Sequence, residues 1–187
     1  ADLFINALGP GCDKFAKMLG HNLGMYPVKH QAFITRRLPW MGVNGDPLGM
    51  LIDRRKYKGF IAVYGQQLAE TGQIIGCASP AAEPQEAAKN LKFNTEEFLE
   101  ISSEIFADWI PSLGSVGLQA IWAGYYTEPR MYMDPKEGLF VGMRGHGFML
   151  GQGLAKMYVD TLTGKPVPEY FKRLSLDGDG LPEKAFK

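Results

Sequence analysis

Between Gly138 and Gly164 the chain reads GLFVGMRGHGFMLGQGLAKMYVDTLTG, and this stretch constrains the fold more than any other. Leu139, Phe140 and Val141 form an apolar run of β type, after which Gly142, Gly145, Gly147, Gly151 and Gly153 crowd a turn. From Leu154 apolar side chains recur at helical spacing, at Leu154, Met157, Tyr158 and Leu162, and Gly164 stands where the helix should close. A strand, a glycine turn and a helix aim backbone N–H groups and a positive helix end at one spot. An electron-rich ligand atom can approach the backbone closely there. A tight β–α connection without a ligand is the other reading, and both stay open at this level.

The chain begins with a similar unit. Leu3 to Ala7 reads as a buried strand, Leu8-Gly9-Pro10-Gly11 as a turn, and Asp13 to Leu19 as a short helix with Phe15, Met18 and Leu19 on its core side. A buried parallel strand needs neighbours on both sides, so this opening suggests the second part of something larger.

The middle of the chain predicts an antiparallel sheet. Residues 25–35 alternate, with Val28, Ala32 and Ile34 on one side and Lys29, Gln31 and Phe33 on the other. Leu48 to Asp53, Gly59 to Tyr64 and Gln73 to Ala78 read as short strands punctuated by Lys58-Gly59 and Thr71-Gly72. Tyr57, Phe60 and Tyr64 are candidates to line a ligand-bearing face, with core packing as the alternative for each. A helix is expected over 95–109, capped by Asn94-Thr95 with acidic Glu96 and Glu97 in its first turn, burying Phe98, Ile101, Ile105 and Trp109, and stopped by Pro111. Glu97, Glu100 and Glu104 fall on its solvated face. Val116 to Thr127 is a further aromatic strand, Glu128 to Lys136 a loop, and Phe171 and Leu174 are placed to pack back after Gly164.

Composition narrows the functional classes. Twenty basic side chains balance twenty acidic ones, which argues against nucleic acid as a main partner. Cys12 and Cys77 are far apart and in no metal-like spacing, so reduced thiols are expected. His21, His30 and His146 lack ligand partners at useful spacing, so no metal is expected. Neither a nucleophile elbow nor a phosphate-binding loop is present. Gly151-Gln152-Gly153 begins like a dinucleotide fingerprint, but Lys156 stands where its third glycine belongs. Asp177-Gly178-Asp179-Gly180 lacks the spacing and closing glutamate of a calcium loop. With no strong acid, base or nucleophile evident, an enzyme of this sequence would rely on a cofactor for the hard step. A cytoplasmic protein, or one peripheral at a membrane face, is expected.

The residues from Glu137 to Gly164, with GHGFMLGQG at their centre, resemble the C-terminal flavin motif of the D-amino-acid oxidase superfamily. The likeness is strongest to its sarcosine-, dimethylglycine-, glycine- and L-proline-oxidising branch. ADLFINALGPG is similar to the strand and turn that return to that family's FAD domain, and PVKHQ, ADWIPSL and AIWAGYYT follow in the family's order. The resemblance implies an α/β (α+β) fold: part of a Rossmann-like FAD-binding domain plus an antiparallel-sheet substrate domain, incomplete without an N-terminal half. Residues 1–24 would be the returning strand and helix of the FAD domain, and 25–127 the substrate domain. Residues 128–164 would form the flavin-facing return, and 165–187 a tail.

By resemblance, Gly145, His146, Gly147, Phe148, Met149 and Leu150 would lie beside the flavin ring, with a helix from about Gly151 aimed at it. Ala7 and Gly9 would approach the dinucleotide portion of FAD. Tyr57, Tyr125, Tyr126 and Arg144 are the candidate substrate contacts. His146 is a candidate general base, with a pocket-lining or structural histidine as its alternative. The missing GxGxxG implies that another segment or chain supplies the rest of the FAD site. WAGYYT has no cysteine, so non-covalent FAD is expected. Met149 replaces the lysine that often follows GHGF, which leaves the carboxylate partner open. Ile74 stands about where oxidases carry a lysine for oxygen activation, which favours a dehydrogenase with another acceptor. The implied reaction is oxidation of a secondary amine or amino acid of L-proline or sarcosine type. The alternatives are a glycerol-3-phosphate-type oxidoreductase and a non-catalytic scaffolding subunit of a flavoenzyme complex.

Overall fold

In the computed structural model, residues 3–41, 48–55, 59–80, 96–128, 133–134, 139–140 and 147–175 are described. The chain divides into two compact units, one built from residues 1–28 and 125–187, the other from 29–83 and 88–124.

The second unit forms around its helix. Helix α2 (Glu96–Trp109) turns Phe98, Ile101, Ser102, Ile105 and Phe106 inward, at spacings of three, one, three and one, as an amphipathic helix on a sheet requires. Each large apolar side chain so buried stabilises the fold by about 2 kcal/mol. The sheet beneath it has the order β2–β3–β4–β1–β5, with β1 Tyr26–Thr35, β2 Leu51–Asp53, β3 Phe60–Gln67, β4 Ile74–Pro80 and β5 Leu118–Glu128. The pairings β2/β3, β3/β4 and β4/β1 are antiparallel. Between sheet and helix the rings of Phe33 and Phe106 meet edge to face at 5.4 Å, and Phe33 and Phe98 lie 6.0 Å apart.

Two glycines make room for those rings. Gly65 on β3 pairs directly with Gly76 on β4. A Cβ on Gly65 would come within 2.4 Å of the Phe106 ring, and one on Gly76 within 2.2 Å of the Phe33 ring. The cross-strand pair is thus a trough in the sheet into which two aromatic rings sink.

Polar groups tie the sheet's strands together. Buried Gln73 donates from Nε2 to the Thr35 carbonyl at 2.8 Å and to Gln119 Oε1 at 2.7 Å, and the Ile74 N–H donates to Thr35 Oγ1 at 2.9 Å. Arg55 bridges Asp53 on β2 and Asp108 on α2 at 2.5 and 2.9 Å. Its hydrogen bond holds the buried Asp53 carboxyl below the usual carboxylate range. Asp108 and Arg55 are more than half exposed, so that outer pair adds little stability.

In the first unit, helix α1 (Cys12–Met18) follows a 3-10 turn at Gly9–Gly11. Its buried residues are Cys12, Asp13 and Ala16, whereas Met18 and Leu19 are 75 % and 50 % exposed. The apolar spacing thus identified the wrong face. Asp13 decides the outcome, because its Oδ1 accepts the N–H groups of Leu23 and Met25 at 3.1 and 3.4 Å and draws the following loop onto that side. Phe15 instead stacks on Phe4, ring centres 5.1 Å apart.

Leu3 to Ala7 is not a buried strand: Leu3, Phe4 and Ile5 are exposed and only Asn6 is enclosed. Such a run becomes a strand when neighbours satisfy its backbone and cover its faces, and none of the described residues does so. Asn6 is fully enclosed, donating from Nδ2 to the Cys12 carbonyl at 2.9 Å and accepting the Leu8 N–H at 3.3 Å. Asn6→Ala should therefore cost about 2 kcal/mol by orphaning two buried backbone groups, measurable as a lower urea midpoint; an unchanged midpoint would show that the turn holds without its side chain.

Helix α3 runs Gly147–Leu162 and buries Leu154, Tyr158 and Asp160. Leu154 and Tyr158 pack with Phe171 and Leu174, as the spacing required, while Leu162 is 38 % exposed and faces outward. Phe171 belongs to a short helix α4 (Glu169–Lys172). The helix closes at Gly164, whose N–H reaches the Thr161 carbonyl, while the Lys165 N–H reaches that of Asp160. Two short strands, β6 Met133–Asp134 and β7 Leu139–Phe140, pair antiparallel. No helix among the described residues is long and apolar enough to cross a membrane.

Candidate functional site

The glycine-rich stretch enters α3 earlier than its apolar spacing implied. The helix starts at Gly147, so Phe148, Met149 and Leu150 are its first turn, and Gly151 and Gly153 lie within it. Packing does not require glycine at 153, where a Cβ would meet nothing within 4 Å, so among the described residues the helix carries its entropic cost beside open surface. The first-turn N–H groups of a helix have no intrahelical acceptor and carry the positive end of its dipole. No acidic side chain occupies that turn. Phe148 is fully exposed and Met149 is 70 % exposed. Two large apolar side chains held in solvent beside the N–H groups of a helix's first turn make a surface suited to a flat, electron-rich ring.

The other predicted residues in this unit fall on two elements. Ala7 is exposed, and Gly9 takes a left-handed φ of +53° at the start of the 3-10 turn, with nothing within 4 Å of the place a Cβ would occupy. A side chain there would be strained, whereas a ligand could approach the bare backbone. On β5, Tyr125 and Tyr126 are half-buried. The Tyr125 hydroxyl is enclosed and has no hydrogen-bond partner among the described residues. A buried phenol ordinarily finds one. Gly145, His146, Arg144 and Tyr57 lie outside the described residues.

Three further positions take their places. Phe60 does not face a ligand; it packs against the second unit's core, 6.4 Å from Phe98. Ile74 is 4 % exposed and packs within that same core beneath α2. Glu128 is not the first residue of a loop but the last of β5, and it is 6 % exposed. Sequence reasoning missed this buried carboxylate because the strand pattern was read as ending at Thr127. Among the described residues no three His, Cys, Asp or Glu side chains gather as metal ligands would.

The fold and the glycine-to-helix entrance have known counterparts. The family model for FAD-dependent oxidoreductases matches residues 1–161, and the chain belongs to that family. Among curated proteins no relative matches. The solved structure of L-proline dehydrogenase from P. horikoshii superposes with a TM-score of 0.67 at 24 % identity, over 92 % of this chain and 46 % of that one. Glycine oxidase from Geobacillus kaustophilus gives 0.69 at 17 %, over 94 % and 45 %. NikD, an amino acid oxidase, gives 0.69 at 13 %, over 97 % and 49 %. The chain thus spans about half the length of these relatives, and at such identities the likeness establishes the fold. The family assignment rests on the family model, and because the similar structures come from several branches no single branch is singled out.

Do the residues present fit a flavin? The open first turn of α3, its exposed Phe148 and Met149, and the uncovered Gly153 backbone suit one face or edge of an isoalloxazine ring. Gly9 suits a backbone approach by a dinucleotide. The described residues include no glycine-rich phosphate loop, so they fit part of an FAD site.

Proposed function

We propose that the protein oxidises a secondary amine or amino acid of L-proline or sarcosine type, as an FAD-dependent dehydrogenase. The observation that carries this reading is the first turn of α3, with no acid and two exposed apolar side chains. Bound FAD would supply the hydride acceptor for the carbon next to the amine. The chain's own contribution is electrostatic and steric. The N–H groups of Gly147 to Leu150 would favour the negative charge that develops on a reduced flavin, within a turn of the helix end. Phe148 and Met149 would exclude water from the ring. Non-covalent binding is proposed, since Cys12 is fully enclosed and Cys77 is a half-buried thiol whose pKa is raised by burial. His146, as base or pocket wall, and Gly145 complete the proposed ring contacts, with Ala7 and Gly9 on the dinucleotide side.

The remainder of the FAD site would come from an N-terminal half, in the same chain or in a partner. The exposed Leu3, Phe4, Ile5, Leu8, Met18 and Leu19 of the first unit support this, because a solvated apolar run of that length normally marks a covered surface. The dehydrogenase assignment draws support from the likeness to L-proline dehydrogenase, the highest identity of the three structures named above.

Mixing the complete protein anaerobically with L-proline or sarcosine should bleach its flavin absorbance, whereas glycerol 3-phosphate should not. Absence of bleaching with every amine and amino acid tried would sink the proposal. Within it, Tyr125 is assigned to the substrate's carboxylate, because its enclosed hydroxyl has a donor to give. Removing one such hydrogen bond should weaken substrate binding about tenfold. Tyr125→Phe should thus raise KM by that factor with kcat nearly unchanged, and an unaltered KM would reassign the residue to packing.

A further inference from the structure

Beside α2 the second unit holds a partly open pocket of about 220 Å³. Phe33 and Ile74 form its sheet side, Phe106 its helix side, and Leu113, on the turn after α2, closes it further. Two serines reach this largely apolar lining, Ser103 at its exposed rim and Ser102 inside. Ser102 is 2 % exposed, sits in the middle of α2, and its Oγ makes no hydrogen bond among the described residues. A serine within a helix ordinarily returns its hydroxyl to the carbonyl one turn back, and a buried hydroxyl without a partner costs about 1–3 kcal/mol. Of the other two hydroxyls in the lining, Thr35 already accepts the Ile74 N–H, and Ser103 lies at the exposed rim, where water can serve it.

We propose that this pocket is a binding site for a small, flat, mostly apolar molecule carrying a single hydrogen-bonding group, of the chemical class of simple phenols. Size and lining both select that class. A dry cavity of about 150 Å³ lined by aliphatic and aromatic side chains is large enough for benzene, so the present one accommodates a ring with one polar substituent. The substituent meets the Ser102 hydroxyl, and the ring packs between Phe33 and Phe106. A charged group is disfavoured, because no charged side chain lines the space. The trough made by Gly65 and Gly76 keeps the site open, since it lets both rings sink into the sheet instead of filling the space above it.

The test uses 4-fluorophenol and fluorobenzene as probes on the complete protein, followed by fluorine NMR line broadening. Wild-type protein should bind both, the phenol more tightly. Ser102→Ala, which keeps the space and removes the hydroxyl, should weaken 4-fluorophenol about tenfold and leave fluorobenzene unchanged. Ser102→Leu, which fills the space, should abolish both. Binding at a flavin would be recognised by a shift of the flavin spectrum that is indifferent to Ser102. The proposal is overturned if neither probe binds at millimolar concentration, as when another part of the protein fills the space. Affinities identical in wild type and Ser102→Ala would also overturn it, and that comparison remains decisive if the leucine variant fails to fold.

Discussion

Replacing Gly72 by alanine is expected to destabilise the protein by about 3–4 kcal/mol. Gly72 closes the turn between β3 and β4 with φ +69°, its N–H bonded to the Leu68 carbonyl at 2.9 Å. An L side chain in that region costs about 1–2 kcal/mol by itself. The new Cβ would also stand 2.3 Å from the Leu38 carbonyl oxygen and 3.1 Å from that of Met41. Both are backbone atoms, so relief requires moving the chain, at about 1–3 kcal/mol more. Gly76→Ala is the informative comparison. Its Cβ would overlap the Phe33 ring at 2.2 Å, yet that ring borders the 220 Å³ pocket and can retreat into it. The cost there should be about half. Urea unfolding of the two variants checks the ranking, and a Gly72→Ala loss below that of Gly76→Ala would refute this account of the turn.

The second large effect is a pH dependence written by His30 on β1. Burial lowers its pKa from 6.5 to about 4. The unfolded chain therefore takes up a proton near pH 6.5 that the folded chain refuses until about pH 4. Stability should be level above pH 7, decline as pH falls through that window, and level off for this group below it. At about 1.4 kcal/mol per pH unit, the loss attributable to His30 approaches about 3 kcal/mol. His30→Gln removes the titration, so its unfolding free energy should differ less between pH 7.5 and 4.5 than that of the wild type, by about 2–3 kcal/mol. Parallel pH profiles for the two proteins would exclude His30 as the source.

What could be read from the residues alone was whatever rests on local periodicity. Phe98, Ile101 and Ile105 define a helical face, and the alternation in 25–35 with the turn residues Lys58-Gly59 and Thr71-Gly72 defines strands; each of these elements formed. Trp109 shows the limit of that rule, since it is only partly buried at the rim of the core while Phe106 takes the interior place. The readings that failed depended on partners distant in sequence. The face that α1 buries was decided by Asp13 receiving Leu23 and Met25, which apolar spacing cannot register. Leu3 to Ile5 has strand composition, but composition does not provide a neighbouring edge. Phe60 was a candidate for a ligand face or for the core, and strand alternation left that open because it does not say which face α2 covers.

The candidate site was legible in a similar measure. The glycine-rich motif pointed to a turn before a helix from about Gly151, and the helix includes Gly147, Gly151 and Gly153, because glycine lowers helix propensity without forbidding a helix. Tyr125 was singled out as one of two adjacent tyrosines, and only the enclosed, partnerless hydroxyl separates it from Tyr126. Ser102 carried no signal at all: a serine in an amphipathic helix reads as a neutral position until the space beside it is seen.

The strand order has a consequence for how the chain is made. The strand β1 is the first to be synthesised, yet it lies between β4 and β5, with Gln31 opposite Ala78 and Ile34 opposite Ile75. A nascent chain emerging from the ribosome can close the β3–β4 hairpin as soon as Pro80 has appeared, because that pairing is local. One edge of β1 then finds β4, but its other edge stays open until residues 118–128 are translated, after the whole of α2. This interior strand, the first of the five in the chain, is thus completed last, and during that interval its unpaired edge is the part of the growing sheet most in need of protection from other chains.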